Sequence, residues 1–192
     1  MADIAYQYRG ELVDQVHGGH IAVTDHTGRL LWKLGDPERL TFARSSAKPI
    51  QAVPVAESGA LEHYGITQRE LAVICASHNG EPFHIEAVES ILRKAGLSPS
   101  DLHCGAEYPM YVPAEDALKL AGVPRAPIYC DCSGKHAGML ITAPHLGEPL
   151  ENYISPDHPV QRRILSVFAD MCGVEESEVR LAVDGCGVPV HA

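Results

Sequence analysis

The chain has 192 residues, 45% hydrophobic, 21% charged and 6% aromatic, enough apolar material for one sizeable core or a core with a small appended lobe. This composition excludes a disordered tail and a collagen-like repeat, and no apolar run approaches the roughly 18 residues of a spanning helix. Fifteen basic residues against twenty-five acidic ones give a net charge of −10, which argues against a nucleic-acid partner, since neutralising phosphates needs a basic face. The start, Met1-Ala2-Asp3-Ile4, lacks the basic and apolar stretches of a secretion signal, so a cytoplasmic setting is expected.

The first forty residues read as β-structure, with residues 20–24 and 29–33 as a hairpin joined by Asp25-His26-Thr27-Gly28. A helix is predicted over 45–58, ended near Gly59 and kinked or shortened by Pro54. Thr67-Gln68-Arg69-Glu70 has the form of a capping box opening a short turn. The continuous apolar run 71–76 suits a buried strand emptying into Ser77-His78-Asn79-Gly80. Residues 81–95 read as a helix stopped by Gly96, and 114–121 as another. Asp157-His158-Pro159 opens a third, with Gly173 after its end. A strand over 179–183 then delivers Asp184-Gly185-Cys186-Gly187. Strands followed by mixed helices and strands predict an α/β (α+β mixed) fold. The chain stops straight after a strand and a glycine turn, so residues 1–192 are expected to form one incomplete domain, the front part of a longer enzyme.

Three segments carry chemistry. In Arg44-Ser45-Ser46-Ala47-Lys48, Ser45 and Lys48 are spaced to share a helical face and touch. A lysine amine held beside a serine hydroxyl and partly desolvated can act as the base that makes the hydroxyl a nucleophile, the arrangement of S-x-x-K in penicillin-recognising enzymes. The bland alternative is a capping serine and a surface lysine. Ser77-His78-Asn79 matches the S-x-N loop that faces the first serine in those enzymes, or is an ordinary polar turn. Their third element, a lysine-bearing K-T-G strand, is not among these residues.

The third segment is Cys130-Asp131-Cys132-Ser133-Gly134-Lys135-His136, with Cys186 in a separate glycine turn. Two thiolates from two loops are good zinc ligands, and His136 or Lys135 could complete the set. Reduced thiols without a ligand, or a reactive thiol nucleophile, fit the bare pattern as well. Cys75 and Cys172 sit in apolar segments and read as small buried hydrophobes.

Taken together, residues 44–51, 75–82, 132–139 and 184–189 resemble, in order, the sequence blocks of the Rhizobium-type (type II-domain) L-asparaginases. The resemblance implies a fold similar to serine β-lactamases and penicillin-binding proteins, and hydrolysis of the L-asparagine side-chain amide to aspartate and ammonia. It implies Ser45 as nucleophile, Lys48 as its activating base and Ser77 as a second serine. It also implies a zinc ion held by Cys132, Lys135 and Cys186, with Asp184 and His136 near it or near substrate. Arg44 and Asn79 are further expected substrate contacts, and a homodimer is the expected assembly. Members of that family run past residue 192, and a second lysine pairing with the second serine belongs to that further part. The rival readings are a penicillin-recognising serine hydrolase and a non-catalytic zinc-holding fragment.

Overall fold

The β-rich start of the chain folds into two antiparallel hairpins. In the computed structural model, which describes all 192 residues, β1 (Ala2–Arg9) pairs with β2 (Leu12–Gly19), and β3 (Ile21–Thr24) with β4 (Leu30–Leu34). The expected turn at 25–28 is organised by one carboxylate. Asp25 Oδ1 accepts from the Thr27 N–H at 2.9 Å, the Thr27 hydroxyl at 2.6 Å and the Arg29 N–H at 3.1 Å. The Thr27 hydroxyl, then its N–H, holds the Asp25 carboxyl below the usual carboxylate range. These hairpins make up the compact unit Met1–Thr41, and two-stranded ribbons cover neither face. Tyr6, Tyr8, Leu31 and Trp32 are accordingly exposed.

The second unit, Phe42–Ala192, is largely helical. A 3₁₀ turn (Arg44–Ala47) leads into α1 (Lys48–Glu57) and the short α2 (Ala60–His63). α3 (Gln68–Ile74), α4 (Pro82–Lys94), α5 (Val112–Leu120), α6 (Ser133–His145) and α7 (Pro159–Cys172) follow. β5 (Leu181–Val183) and β6 (Pro189–His191) close the chain as a hairpin, with Leu181 opposite His191 and Val183 opposite Pro189. The architecture is mixed, helices with small antiparallel sheets. No helix is long and apolar enough to cross a membrane.

α6 is the centre of the core. Every residue from Ser133 to Ala143 is buried, and α1, α3, α4 and α7 pack around it. Two glycines let it approach α3 closely, Gly134 against backbone and Gly138 against a side chain. A Cβ built at Gly134 would stand 2.1 Å from the Val73 carbonyl oxygen, and one at Gly138 2.7 Å from Ile74 Cγ2. Gly134→Ala is therefore expected to lower unfolding stability by about 3 kcal/mol, at the upper end of overpacking, because the obstacle is backbone that cannot rotate away. Urea unfolding checks it, and an unchanged midpoint would refute the packing argument.

Several sequence expectations are corrected here. The apolar run 71–76 is not a strand: the box at Thr67 opens α3, a seven-residue helix. Thr67 Oγ1 accepts from the Glu70 N–H, and Glu70 Oε2 accepts from the Thr67 N–H at 2.7 Å and from Lys94 Nζ at 2.6 Å. Burial opposes the Glu70 charge, but Lys94 and the Thr67 N–H outweigh it and hold its pKa at about 2. A capped start thus overrides the continuous apolar pattern. The helix expected over 45–58 is a 3₁₀ turn followed by α1, and Pro54 lies inside α1 without ending it. The strand expected over 179–183 covers only Leu181–Val183. Cys172 is exposed at the end of α7, and Cys75 is half-buried. The expected helices at 81–95, 114–121 and after Asp157 are present, the last capped by His158 Nδ1, which accepts from the Val160 N–H at 3.2 Å.

Candidate active site

The chain enters the site through Arg44, whose backbone is left-handed (φ 51°), a strained setting for a residue with a side chain. Ser45 follows, exposed, and Lys48 begins α1 with only 2% of its surface accessible. The Ser46 hydroxyl bonds back to the Ala43 carbonyl and takes no part in the contacts below.

Lys48 Nζ does not donate to Ser45. It donates to Ser77 Oγ at 2.6 Å, and Ser77 Oγ in turn donates to Ser45 Oγ at 3.1 Å. A relay through Ser77 stands in place of the direct Ser45–Lys48 contact that their spacing predicts, because the lysine stem runs inward to the loop after α3. There Nζ also meets the carbonyls of Ala76 (3.3 Å) and Asp131 (3.4 Å) and the Cys132 thiol (3.3 Å).

The relay is held by the junction of α3 and α6. The His78 N–H donates to the Asp131 carbonyl at 3.2 Å, joining the Ser77 loop to the entry of α6. The Gly80 N–H donates to His78 Nδ1 at 3.1 Å, so Nε2 carries the proton and donates to Ser133 Oγ at 2.8 Å. Burial, then the nearby His84 and Lys48, lower the His78 pKa to about 4, against an opposing pull from Asp131. In β6, His191 is 1% exposed with neither ring nitrogen hydrogen-bonded. Its ring lies over Phe168 at 4.9 Å, and burial, then Lys135, bring its pKa to about 4. In the unfolded chain both imidazoles titrate near about 6.5, so it is the unfolded chain that takes up protons first. The stability they contribute is full above about pH 6.5 and is lost as pH falls toward about 4. His78→Gln is expected to remove part of that slope, with the rest belonging to His191. Urea midpoints measured between about pH 7 and about pH 4.5 check it, and an unchanged slope would count against a buried neutral His78.

The β5–β6 hairpin supplies the opposite wall. Gly187, at φ 88°, makes the turn that only glycine adopts readily, and its N–H donates to the Asp184 carbonyl at 2.9 Å. Asp184 Oδ1 accepts from the Gly185 N–H at 2.9 Å and lies 3.7 Å from Arg44 Nη2. Arg44, Ser45, Asp131, Cys132, Asp184 and Cys186 thereby line one cavity of about 340 Å³. The other two expected contacts lie elsewhere. Asn79 is exposed outside this wall, its carbonyl accepting from the Tyr111 N–H at 2.7 Å. His136 is buried behind the wall, its Nδ1 2.8 Å from the Tyr153 hydroxyl and its Nε2 without a partner.

Thiols crowd this cavity. Cys132 and Cys186 interact, and Cys186 is raised to about 11, first by Cys132 and then by burial. Lys135, 4% exposed, has the Cys186 thiol 3.2 Å from Nζ as its hydrogen-bond partner, where a buried amine would ordinarily find a carboxylate. Two thiols and a buried amine converging from α6 and the hairpin fit a thiophilic divalent ion. A second group, which the sequence reading does not single out as a ligand set, is Cys130, Asp131 and Cys132, with ligand atoms within 4.8 Å of one another, and it could also hold a metal. Cys130 Sγ in addition donates to the Cys104 carbonyl at 3.3 Å, and the neighbouring Cys104 thiol pushes the Cys130 thiol up to about 12. The C-x-C spacing of 130–132 was the available signal for that group; nothing in the sequence marked Cys104 or His191.

Against this geometry, the family profile of L-asparaginase II matches residues 5–192. The chain belongs to the L-asparaginase II family. No curated protein was found to match it. For a chain of the L-asparaginase II family, asparagine hydrolysis and a small-molecule substrate are the general activity and partner, and a cavity of this size with an arginine and an aspartate facing each other suits an amino acid.

Proposed function

We propose that this chain hydrolyses the side-chain amide of L-asparagine through an acyl-enzyme on Ser45. The observation that carries the reading is the relay from Lys48 Nζ through Ser77 Oγ to Ser45 Oγ, at 2.6 and 3.1 Å, opening on the cavity. Lys48 takes the Ser45 proton by way of Ser77, and Ser45 Oγ attacks the amide carbon. The proton returns along the same path to the leaving nitrogen, the C–N bond breaks and ammonia departs. Water, deprotonated by the same relay, then releases aspartate.

Recognition falls to Arg44 and Asp184, which match the α-carboxylate and α-ammonium of the substrate. Their own ion pair at 3.7 Å is exposed on the arginine side, and such pairs contribute about 0–1 kcal/mol, so a zwitterion replaces it at small cost. His136 orients Tyr153 behind the wall. Cys132, Lys135 and Cys186 would hold zinc, which when bound supplies a fixed positive charge that orients the polar groups of the substrate. The same reading takes a serine β-lactamase-like architecture and a homodimer, on the strength of the four resembling sequence blocks, together with the expected cytoplasmic setting.

The test is ammonia release from L-asparagine by the purified protein, beside hydrolysis of a chromogenic β-lactam. Ammonia release with no β-lactam turnover is expected; the reverse would assign the relay to a penicillin-type substrate.

A further inference from the structure

Ser77 lines one cavity and hydrogen-bonds to a residue that lines another. On one side its hydroxyl reaches Ser45, which lines the polar cavity; on the other Ser77 itself lines a separate cavity of about 280 Å³. That second cavity is built from Ala72 and Val73 of α3, Phe83, His84 and Ala87 of α4, and Arg69 at its rim. Its character is apolar and aromatic. The His84 ring stacks on His78 with centroids 5.3 Å apart and planes 20° apart, and Phe83 lies 4.0 Å from His84. The Arg69 guanidinium sits 5.6 Å from the Phe83 ring, and His84 Nδ1 is buried without a hydrogen-bond partner.

The relay fixes where a leaving group goes. The proton that the departing nitrogen needs comes from Ser77, so that nitrogen must lie beside Ser77 when the C–N bond breaks. Any substituent on it is then adjacent to the second cavity and not to Arg44 and Asp184, which hold the amino-acid end. An apolar cavity of about 150 Å³ is enough to bind benzene, so this one has room for an aromatic ring. Planar rings on its walls offer offset-stacked contacts at centroid separations of about 4.5–7 Å.

We infer that the enzyme accepts asparagine derivatives carrying an aryl group on the side-chain amide nitrogen, the aryl group occupying the cavity between α3 and α4. This rests on the Ser45 acyl-enzyme reading. Ser45 Oγ bonds to the β-carbonyl carbon, the C–N bond breaks, and the nitrogen takes the relayed proton and leaves as an arylamine. Water then cleaves the ester to aspartate, so one amide and one water give one acid and one amine. Ammonia leaves the cavity empty, whereas an arylamine fills it.

The test uses L-aspartic acid β-(4-nitroanilide), which releases coloured nitroaniline, beside L-asparagine. The wild-type protein is expected to turn over both. Ala72→Leu, an exposed position that fills the cavity from α3 and touches none of the relay, is expected to lower kcat/KM for the anilide at least about tenfold while leaving asparagine unchanged. Phe83→Ala, which removes one wall, is expected to raise KM for the anilide alone. Turnover of asparagine without the anilide overturns the inference and leaves the Ser45 reading standing. Equal effects of Ala72→Leu on both substrates also overturn it. Turnover of neither substrate defeats the Ser45 reading, and the inference with it.

Discussion

Lys48→Met is expected to lower kcat for L-asparagine at least about 10³-fold, and Ser45→Ala to match it, because members of one relay lose activity together and not additively. Ser77→Ala is expected to fall into the same class. It removes no nucleophile, yet Ser77 Oγ is the group between Lys48 Nζ at 2.6 Å and Ser45 Oγ at 3.1 Å. Ser46→Ala is expected to keep activity, since the Ser46 hydroxyl is turned back to the Ala43 carbonyl. Removing the Lys48 amine also leaves the Ala76 carbonyl without a donor, which costs about 1–3 kcal/mol of stability, while the Asp131 carbonyl keeps the His78 N–H. Steady-state kinetics read beside a melting temperature separate the two effects. Ser77→Ala should melt close to the parent and still be inactive. If Ser77→Ala retained parental kcat while Ser45→Ala did not, Lys48 would have to reach Ser45 directly and the relay would be wrong.

Cys186→Ser is expected to abolish zinc co-purification, and Cys130→Ser to leave it intact. The two variants decide between the donor sets around Cys132. One uses Cys132, Lys135 and Cys186; the other uses Cys130, Asp131 and Cys132. The first draws ligands from α6 and from the β5–β6 hairpin, so zinc would tie the hairpin to the core. Added zinc should then raise the melting temperature of the parent and not that of Cys186→Ser. Occupancy should fall with pH, because the thiols are held protonated, Cys186 at about 11, and each ligand must give up a proton to coordinate. Elemental analysis and calorimetry read this without reference to activity. Metal loss in Cys130→Ser with retention in Cys186→Ser would move the site to the C-x-C group.

The relay's members were legible in the sequence, but its wiring was not. Ser45, Lys48 and Ser77 were identifiable as serines and a lysine at telling spacings. Which hydroxyl receives the amine depends on the direction of the Lys48 stem, set by the packing of α3 and α6, which lie well beyond Lys48 in sequence. The misread run 71–76 shows the limit of periodicity. Six apolar residues in a row have no period, so only the Thr67–Glu70 box could tell helix from strand, and it points to a helix. α6 was invisible for the opposite reason. It begins Ser133-Gly134 just after Cys132 and carries Gly138 a turn later, poor local helix formers, and its helicity comes from burial on every side. His191 and Cys104 carried no spacing signal at all, because they acquire meaning only from what folds against them.

The backbone contact between α6 and α3 has a consequence for how the protein tolerates change. Gly134 lies two positions after Cys132 and touches Val73, four positions before Ser77. The same few ångströms of close approach therefore locate the thiol and the serine relative to one another. Sequence drift that loosens this seam would misalign both before the molecule loses its shape, so heat should silence the protein below its melting point. Selection for activity alone would then suffice to freeze Gly134 and Gly138.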